Sequence, residues 1–395
     1  MSKSCVKDIA VIGGGAAALA FAAMTSGRRV TLLEAGARVG KKLLATGNGK
    51  CNLTGLSVSA ADFNAPEKAG FFLEKFPPER AIEFFESLGL CTRVTGGRVY
   101  PYSECASSVL DTLMAAAKER GAELLTRREV RSVKREHDGF VLDVILTDDK
   151  GAETGRERLT ANAVVLATGS SASGGRDSVS LYTAMGHTAR AFAPSLVPLK
   201  TDRESVKGLN GVRVKCTAEL CGVRAEGEIL FRDYGISGIA AMDLSALYAR
   251  GRAKKGESIV LDFMPERTLA EVEARIAAQT DRSAERVLKG MFHSRVAERI
   301  AERAGQPLDA APDAKALAAV IKAYSFTLYG CADAERAQVM SGGLSLDEFD
   351  ECLRSRIVPD AYAMGEALDI DGLCGGCNLQ WAWSSAYAVS CALGK

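Results

Sequence analysis

"VIGGGAAALAFAAMTSGRRVTLLEAG", residues 11–36, passes from an apolar run through three glycines into an alanine-rich segment, then to a second apolar run that ends on an acid. That order predicts strand, tight turn, helix and strand. Within it, Gly13-Gly14-Gly15-Ala16-Ala17-Ala18 fits the spacing G-x-G-x-x-G/A. Gly13 permits the sharp turn, Gly15 lets backbone approach a pyrophosphate at the positive end of the helix, and Ala18 is small enough for helix and sheet to pack closely. Glu34 follows Gly13 by 21 residues, where a carboxylate accepts hydrogen bonds from a ribose diol and repels a 2′-phosphate. The stretch predicts a dinucleotide on a Rossmann-like α/β domain and leaves the chemistry open.

The rest of the 395-residue chain narrows it. A length of 395 with 47% hydrophobic residues gives room for two or three domains, each with a core. Basic and acidic residues number 50 and 49, a net charge of +1 with no block of one sign, so neither nucleic acid nor a membrane surface is expected as a partner. No apolar run reaches the roughly 20 residues of a membrane span, and "MSKSCVKDIAVIGGG" enters the first strand without space for a signal peptide. Eleven cysteines scattered over a core-forming chain suit free thiols in a reducing cytoplasm.

Helices are expected around Ala81–Ser87 and Ser107–Arg120, the second closed by Gly121. "EVRSVKRE" and "FVLDVILT" read as strands, with polar "DDKGAETG" before the next strand, "AVVLATGS". Together they form a meander on a parallel sheet. After Pro194, "GVRVKCTAELCGVRAEGEILFRDYGISG" alternates and is rich in turns, which predicts an all-β insertion. Thr268–Lys322 reads as amphipathic helices, and after Ala334 the chain returns to α/β character with "AYAM" and a final helix, "NLQWAWSSAYAVSCAL". The middle is thus inserted into a nucleotide-binding domain.

NAD and FAD both satisfy the opening turn. The flanks favour FAD: a long loop from Ala35 to Gly55 rich in glycine and lysine, a second strand-end glycine in Ala167–Gly169, and a third at Gly365-Glu366 in "AYAMGEALDIDG". A ligand touching three strand ends and a C-terminal helix is long, as FAD is.

Beyond these features the chain resembles the BaiN/RdsA-like (aminoacetone oxidase-like) NAD(P)/FAD-dependent oxidoreductases. The resemblance rests on "VIGGGAAALA", "GKKLLATGNGKCNLT", "GGRVYPYSECASSVLDTL", "VVLATGS", "GHTARAFAPSLVPL", "ILFRDYGISGIAAMDLS" and "GEALDIDGLCGGCNLQWAWSSAYA". It implies a discontinuous FAD-binding Rossmann-like domain (1–192 and 335–395), an inserted β-barrel-like domain (193–267 and 323–334) and a small helical domain (268–322). It further implies FAD contacts at Gly13, Gly15, Ala16, Ala17, Glu34, Lys42, Gly49, Cys51, Asn52, Val130, Ala167, Gly169, Gly365, Glu366, Gly376, Asn378 and Leu379. The helix after Asn378 is expected to direct its N-terminus at the pyrimidine edge of the flavin, where positive potential stabilises the anionic reduced form. The pattern departs from the family at Gly55 (usually Asn), at Ser170 in "ATGS", in the shortened loop that follows, and at Cys377, usually aromatic.

Candidate catalytic groups lie in two motifs. Tyr100 and Tyr102 in "GGRVYPYSE" are placed to donate a proton to a substrate, or to cover the core as loop aromatics. Cys374 and Cys377 form C-x-x-C ahead of a helix N-terminus, a setting for a dithiol relay or simply small residues around a glycine turn. Cys51 reads as packing, Trp381 and Trp383 as core, and Arg232 and Tyr234 as an ordinary hairpin. Histidines 137, 187 and 293 are isolated, so no metal is expected.

There is no second G-x-G-x-x-G for a nicotinamide domain, which leaves NADH or NADPH as a transient donor. The activity implied best is hydride transfer through flavin N5 to a C=C conjugated with a carbonyl in a small hydrophobic substrate, as in steroid or bile-acid enones. The alternatives are an amine oxidase and a protein whose FAD is structural or sensory.

Overall fold

The computed structural model describes residues 6–137, 139–172, 179–279, 281–332 and 337–394. The chain divides into two compact units, one made of residues up to Ala193 together with Val339 onward, the other of Pro194–Gln338. The boundary expected at 334/335 and most of the loop after "ATGS" fall on or beside residues outside this description.

The first unit is built on a seven-stranded sheet. Val6–Ile12 lies between Val30–Leu33 and the end of Glu153–Leu166, parallel to both, and Glu123–Leu125 extends the sheet beyond Val30–Leu33. Val30–Leu33 is buried at every residue, as expected of parallel strands covered on both faces. Glu153–Leu166 changes partner halfway. Its first part runs antiparallel to Gly139–Thr147, which pairs with Arg128–Glu136, and its end runs parallel to Val6–Ile12 and to Ala361–Ala363. The expected meander is therefore one with the central strand, which starts inside the polar "GAETG" rather than after it. Alternating exposed and half-buried residues over its first half suit a meander with one solvated face.

Helix Ala16–Met24 and the C-terminal helix Cys377–Leu393 pack together beside this sheet, and Ala106–Glu119 joins them. Gly121 follows the last of these at φ +77°, the left-handed close anticipated for it. The structure corrects the 35–55 loop: Lys41–Ala45 is a short helix. Two further elements escaped the reading. Helix Pro66–Lys75 starts on a proline at its first position, and Thr54–Gly55, Arg98–Pro101 and Thr92–Thr95 make a small antiparallel sheet. Strand Val339–Leu344 pairs with Ala189–Ser195 in a two-stranded ribbon.

The second unit is a closed barrel of Leu199–Thr201, Gly235–Ser237, Val223–Arg232, Arg213–Leu220, Ser258–Asp262 and Tyr324–Cys331, in that neighbour order. Tyr324–Cys331 buries every second residue, the period of a strand with one face on a core. Helices Leu269–Ala277, Ala284–Lys289, Ser294–Arg303 and Ala314–Lys322 share that core, through Val272, Leu288, Ile300 and Leu317 among others. Each begins on a side-chain cap: Thr268, Ser283, His293 and Asp313 accept the N–H groups of Glu271, Arg286, Arg295 and Ala316. Barrel and helices are one compact unit.

Candidate functional site

The opening turn is held by contact as well as by torsion. Gly13 has φ +112°, and a Cβ there would meet the Ala167 carbonyl and lie 2.9 Å from Thr168 Cα. Only glycine lets the first strand's end touch that of its neighbour. Gly15 begins helix Ala16–Met24 without a side-chain cap, and a Cβ on it would meet nothing within 4 Å. The first-turn N–H groups, with Ala16 and Ala17 carrying only methyls, thus face open space. That is the cradle a pyrophosphate needs. Glu34 closes it from below: its carboxylate accepts from Gly14 N at 2.8 Å and Gly36 N at 2.7 Å. Its backbone carbonyl accepts from Arg128 N at 2.9 Å, which brings Val130, two residues on and beside a bulge in its strand, to the same corner.

A second cluster joins three segments. Lys42 Nζ donates to the Ser170 carbonyl at 2.5 Å and lies 3.8 Å from Glu366 Oε2, and Ser170 Oγ donates to the same oxygen at 3.2 Å. A Cβ on Gly169 would sit 3.5 Å from both charged groups. Burial lowers the pKa of Lys42 against the pull of Glu366, and burial raises that of Glu366 against Lys42 and Ser170. Two charges of opposite sign share a partly dry place, so either is ready to exchange its partner for a polar ligand. Gly365 is fixed beside them: its N–H donates to Ser385 Oγ at 3.0 Å, its carbonyl accepts from Trp381 Nε1 at 3.0 Å, and a Cβ on it would come within 3.1 Å of the Ala17 methyl.

The third element is the loop from Thr46 to Asn52. Gly47, Asn48, Gly49 and Cys51 all have positive φ. For Asn48 and Cys51 that conformation costs about 1 kcal/mol each, a strain that concentrates at functional sites. A Cβ on Gly49 would meet nothing within 4 Å. Cys51 itself is wholly buried and its thiol is pushed up to about 12 by desolvation, so at neutral pH it packs and does not attack. Asn52 Oδ1, Thr54 Oγ1 and Thr168 Oγ1 are buried without a hydrogen-bond partner. Unpaired buried acceptors are costly, and those of Asn52, beside Gly47, and Thr168, beside Gly13, fit a polar ligand that supplies donors.

The C-terminal helix completes the arrangement. Gly376 caps it at φ +107°, pressed against Thr54 and Gly55, and no side chain caps its first turn. Leu379 is half-buried in that turn. Asn378 organises the loop before it, donating to the Gly372 carbonyl at 2.8 Å and accepting its N–H at 2.9 Å. Trp383 Nε1 donates to the Leu53 carbonyl at 2.8 Å, and Gln380 Nε2 and Ser384 Oγ both donate to the Phe76 carbonyl at 2.8 Å. The tryptophans are core, as expected, and also clamps. Polar residues inside an otherwise apolar helix were the signal for this. Ser170 and Arg98, whose setting is described below, were likewise missed as site residues.

The two tyrosines separate. Tyr100 is half-buried, with its ring 3.7 Å from where a Cβ on Gly47 would stand, whereas Tyr102 is 63% exposed and stacks under Arg93 at 5.2 Å. Cys374 is half-buried, Cys377 is buried, and both are free thiols. His187 is isolated in sequence only. Its Nδ1 bonds Glu348 Oε2 at 2.9 Å, and its Nε2 bonds Ser355 Oγ at 2.9 Å. Among the described residues no group of three or more His, Cys, Asp or Glu is placed to hold a metal, and no helix is long and apolar enough to cross a membrane.

Strand ends, a glycine turn and an uncapped helix converging on one cradle define a Rossmann-type nucleotide-binding protein. The family of the HI0933-like protein Rossmann domain matches residues 7–392, and the chain belongs to it. It is 35% identical to the 3-dehydro-bile acid delta(4,6)-reductase of Clostridium scindens over 96% of this chain and 97% of that one. With the ribosomal RNA dihydrouridine synthase of Escherichia coli it shares 28% identity over 97% of both chains, and with that of Haemophilus influenzae 30% over 98% of both. The solved 3-ketosteroid delta1-dehydrogenase of Sterolibacterium denitrificans matches 98% of this chain and 99% of its own at a TM-score of 0.52 and 12% identity, a likeness of fold. The chain is an oxidoreductase.

Proposed function

We propose that this is an FAD-dependent reductase of a C=C conjugated to a ketone in a steroid-like, hydrophobic substrate, working in the cytoplasm with NADH or NADPH as a transient donor. The observation that carries it is the end-to-end 35% identity with a bile-acid reductase, on a chain whose glycine turn leaves the start of the first helix open. FAD would supply a hydride at its N5 atom. Gly15 and the first turn after it would take the pyrophosphate, Glu34 a ribose diol, and Glu366 and Lys42 the hydroxyls and phosphate oxygens of the chain linking ribose to ring. Asn52 and the first turn of the C-terminal helix are the groups available to the ring itself. Tyr100, beside the glycine loop, is the phenol the geometry favours over exposed Tyr102 as a hydrogen-bond donor to the substrate, and Cys374 and Cys377 supply packing rather than a relay.

A second reading has its own support. Dihydrouridine is uridine whose ring C=C, conjugated to a carbonyl, has been saturated, so two relatives named for that product point to the same bond change on a different substrate. The net charge of +1 weighs against a polynucleotide. The deciding experiment is anaerobic stopped-flow on purified protein, following the flavin band near roughly 450 nm. Reduction by NADH or NADPH and reoxidation by a 3-oxo-Δ4 steroid supports the proposal. Reoxidation by unmodified ribosomal RNA alone supports the second reading, fast reoxidation by air with an amine as donor an oxidase, and colourless protein that refuses FAD ends all three.

A further inference from the structure

The small sheet of Thr54–Gly55, Arg98–Pro101 and Thr92–Thr95 has two unlike faces. Thr54, Val99 and Val94 stand opposite one another across the strands, as do Gly55, Arg98 and Thr95, and Arg93 opposes Tyr100. Side chains alternate along a strand and opposed residues share a face. Arg98, Tyr100 and Arg93 therefore lie on one side, with Val99 buried on the other.

What meets the polar face is the site. A Cβ on Gly55, pointing the same way as Arg98, would come within 2.7 Å of the Gly375 carbonyl, so the turn into the C-terminal helix lies over this face. The ring of Tyr100 borders Gly47 of the strained loop. Arg93 is already compensated: it lies 3.5 Å from Glu104, which also takes Lys50 at 2.6 Å, and it stacks on Tyr102. Arg98 is half-buried, yet it makes no ion pair or hydrogen bond with any described residue, and neither does the Tyr100 hydroxyl. An uncompensated, partly desolvated guanidinium with five donors, next to a free phenol, calls for an oxyanion.

Resting on the function proposed above, we infer that Arg98 and Tyr100 form the subsite for the carbonyl oxygen of the substrate as it becomes an oxyanion. When a hydride adds to the β-carbon of an enone, its electron pair makes the new C–H bond, the C=C π pair becomes the enolate double bond and the carbonyl π pair moves to oxygen; a proton from water then completes the α-carbon as the carbonyl re-forms. The guanidinium meets the charge on oxygen, and the phenol hydrogen-bonds the same atom. The same oxyanion chemistry would also suit a cofactor phosphate, so the test separates the two.

The probe is 4-nitrophenol titrated against FAD-loaded protein, its absorbance reporting ionisation of the bound phenol. The wild type binds the phenolate in preference to the phenol. Arg98→Met weakens phenolate binding by about 30-fold, the range for losing a hydrogen bond to a charged group, and leaves neutral phenol binding and FAD affinity unchanged. Arg98→Lys recovers part of the loss, and Tyr100→Phe costs less than Arg98→Met. Unchanged phenolate affinity in Arg98→Met overturns the subsite, and so does a loss of FAD affinity with phenolate binding intact, which gives the guanidinium to the cofactor. A wild type that reduces no enone but loses phenolate binding on Arg98→Met removes the function proposed above and keeps the subsite; one that reduces enones with Arg98→Met silent does the reverse.

Discussion

Two helices, one near each end of the chain, start after a glycine and carry no side-chain cap. Ala16–Met24 is positioned by its turn and by apolar packing: Gly13 and Gly15 set the turn, and none of its side chains has a polar group to bond a distant segment. Cys377–Leu393 is positioned by its side chains. Trp383, Gln380 and Ser384 reach Leu53 and Phe76, more than 300 residues earlier in the sequence, and Trp381 and Ser385 grip Gly365. A turn specified by torsion and close approach leaves a short pattern. A helix specified by distant carbonyls leaves only scattered polar residues in an apolar run.

The difference is open to direct attack. Gly376→Val forces a β-branched residue into φ +107° and against Thr54 backbone at 2.7 Å; we expect a loss of about 3 kcal/mol, read by urea unfolding. Gly15→Val has nothing to clash with in the protein, so its stability should move by less than about 1 kcal/mol, while FAD affinity falls by about 100-fold, equivalent to about 2.7 kcal/mol, by fluorescence titration. Equal effects of the two on unfolding would erase the contrast. Trp383→Phe keeps the packing and leaves the Leu53 carbonyl without its donor, at a cost of about 1–2 kcal/mol; a null effect on the denaturation midpoint would show that the clamp does not hold the helix.

The smallest expected effect lies away from the cradle. Burial lowers the pKa of His187 against the pull of Glu348, and Ser355 Oγ, which accepts from Ile357 N and Val358 N, gives its proton to Nε2. The folded protein therefore binds fewer protons here than the unfolded chain. Stability from this residue is full above the unfolded value of roughly 6.5, and declines as pH falls from there to the lowered folded pKa. His187→Gln should flatten that slope in pH-dependent unfolding; an unchanged slope would assign the acid sensitivity to other groups.

These contrasts explain what was legible. Rossmann strand, turn and acid could be read from residues 11–36 because each step is a local steric demand. The barrel showed itself through alternation, and the inserted helices through their periodicity. The small sheet of Arg98–Pro101 and Thr54–Gly55 did not, since its strands are two to four residues long and its purpose depends on the Gly375 turn far along the chain. The Lys42–Ser170–Glu366 cluster was half visible: the acid from its strand end and both charges through resemblance, and the serine only as a departure from the glycine usual in such chains, not as their partner.

The grip of Trp383 on Leu53 has a consequence for synthesis. A nascent chain carries the strand, the first turn and the strained loop long before it carries their far wall, and the whole barrel unit must emerge in between. The nucleotide cradle is thus finished only once helix Cys377–Leu393 has been made, and a product cut before it arrives without the far wall of its pocket.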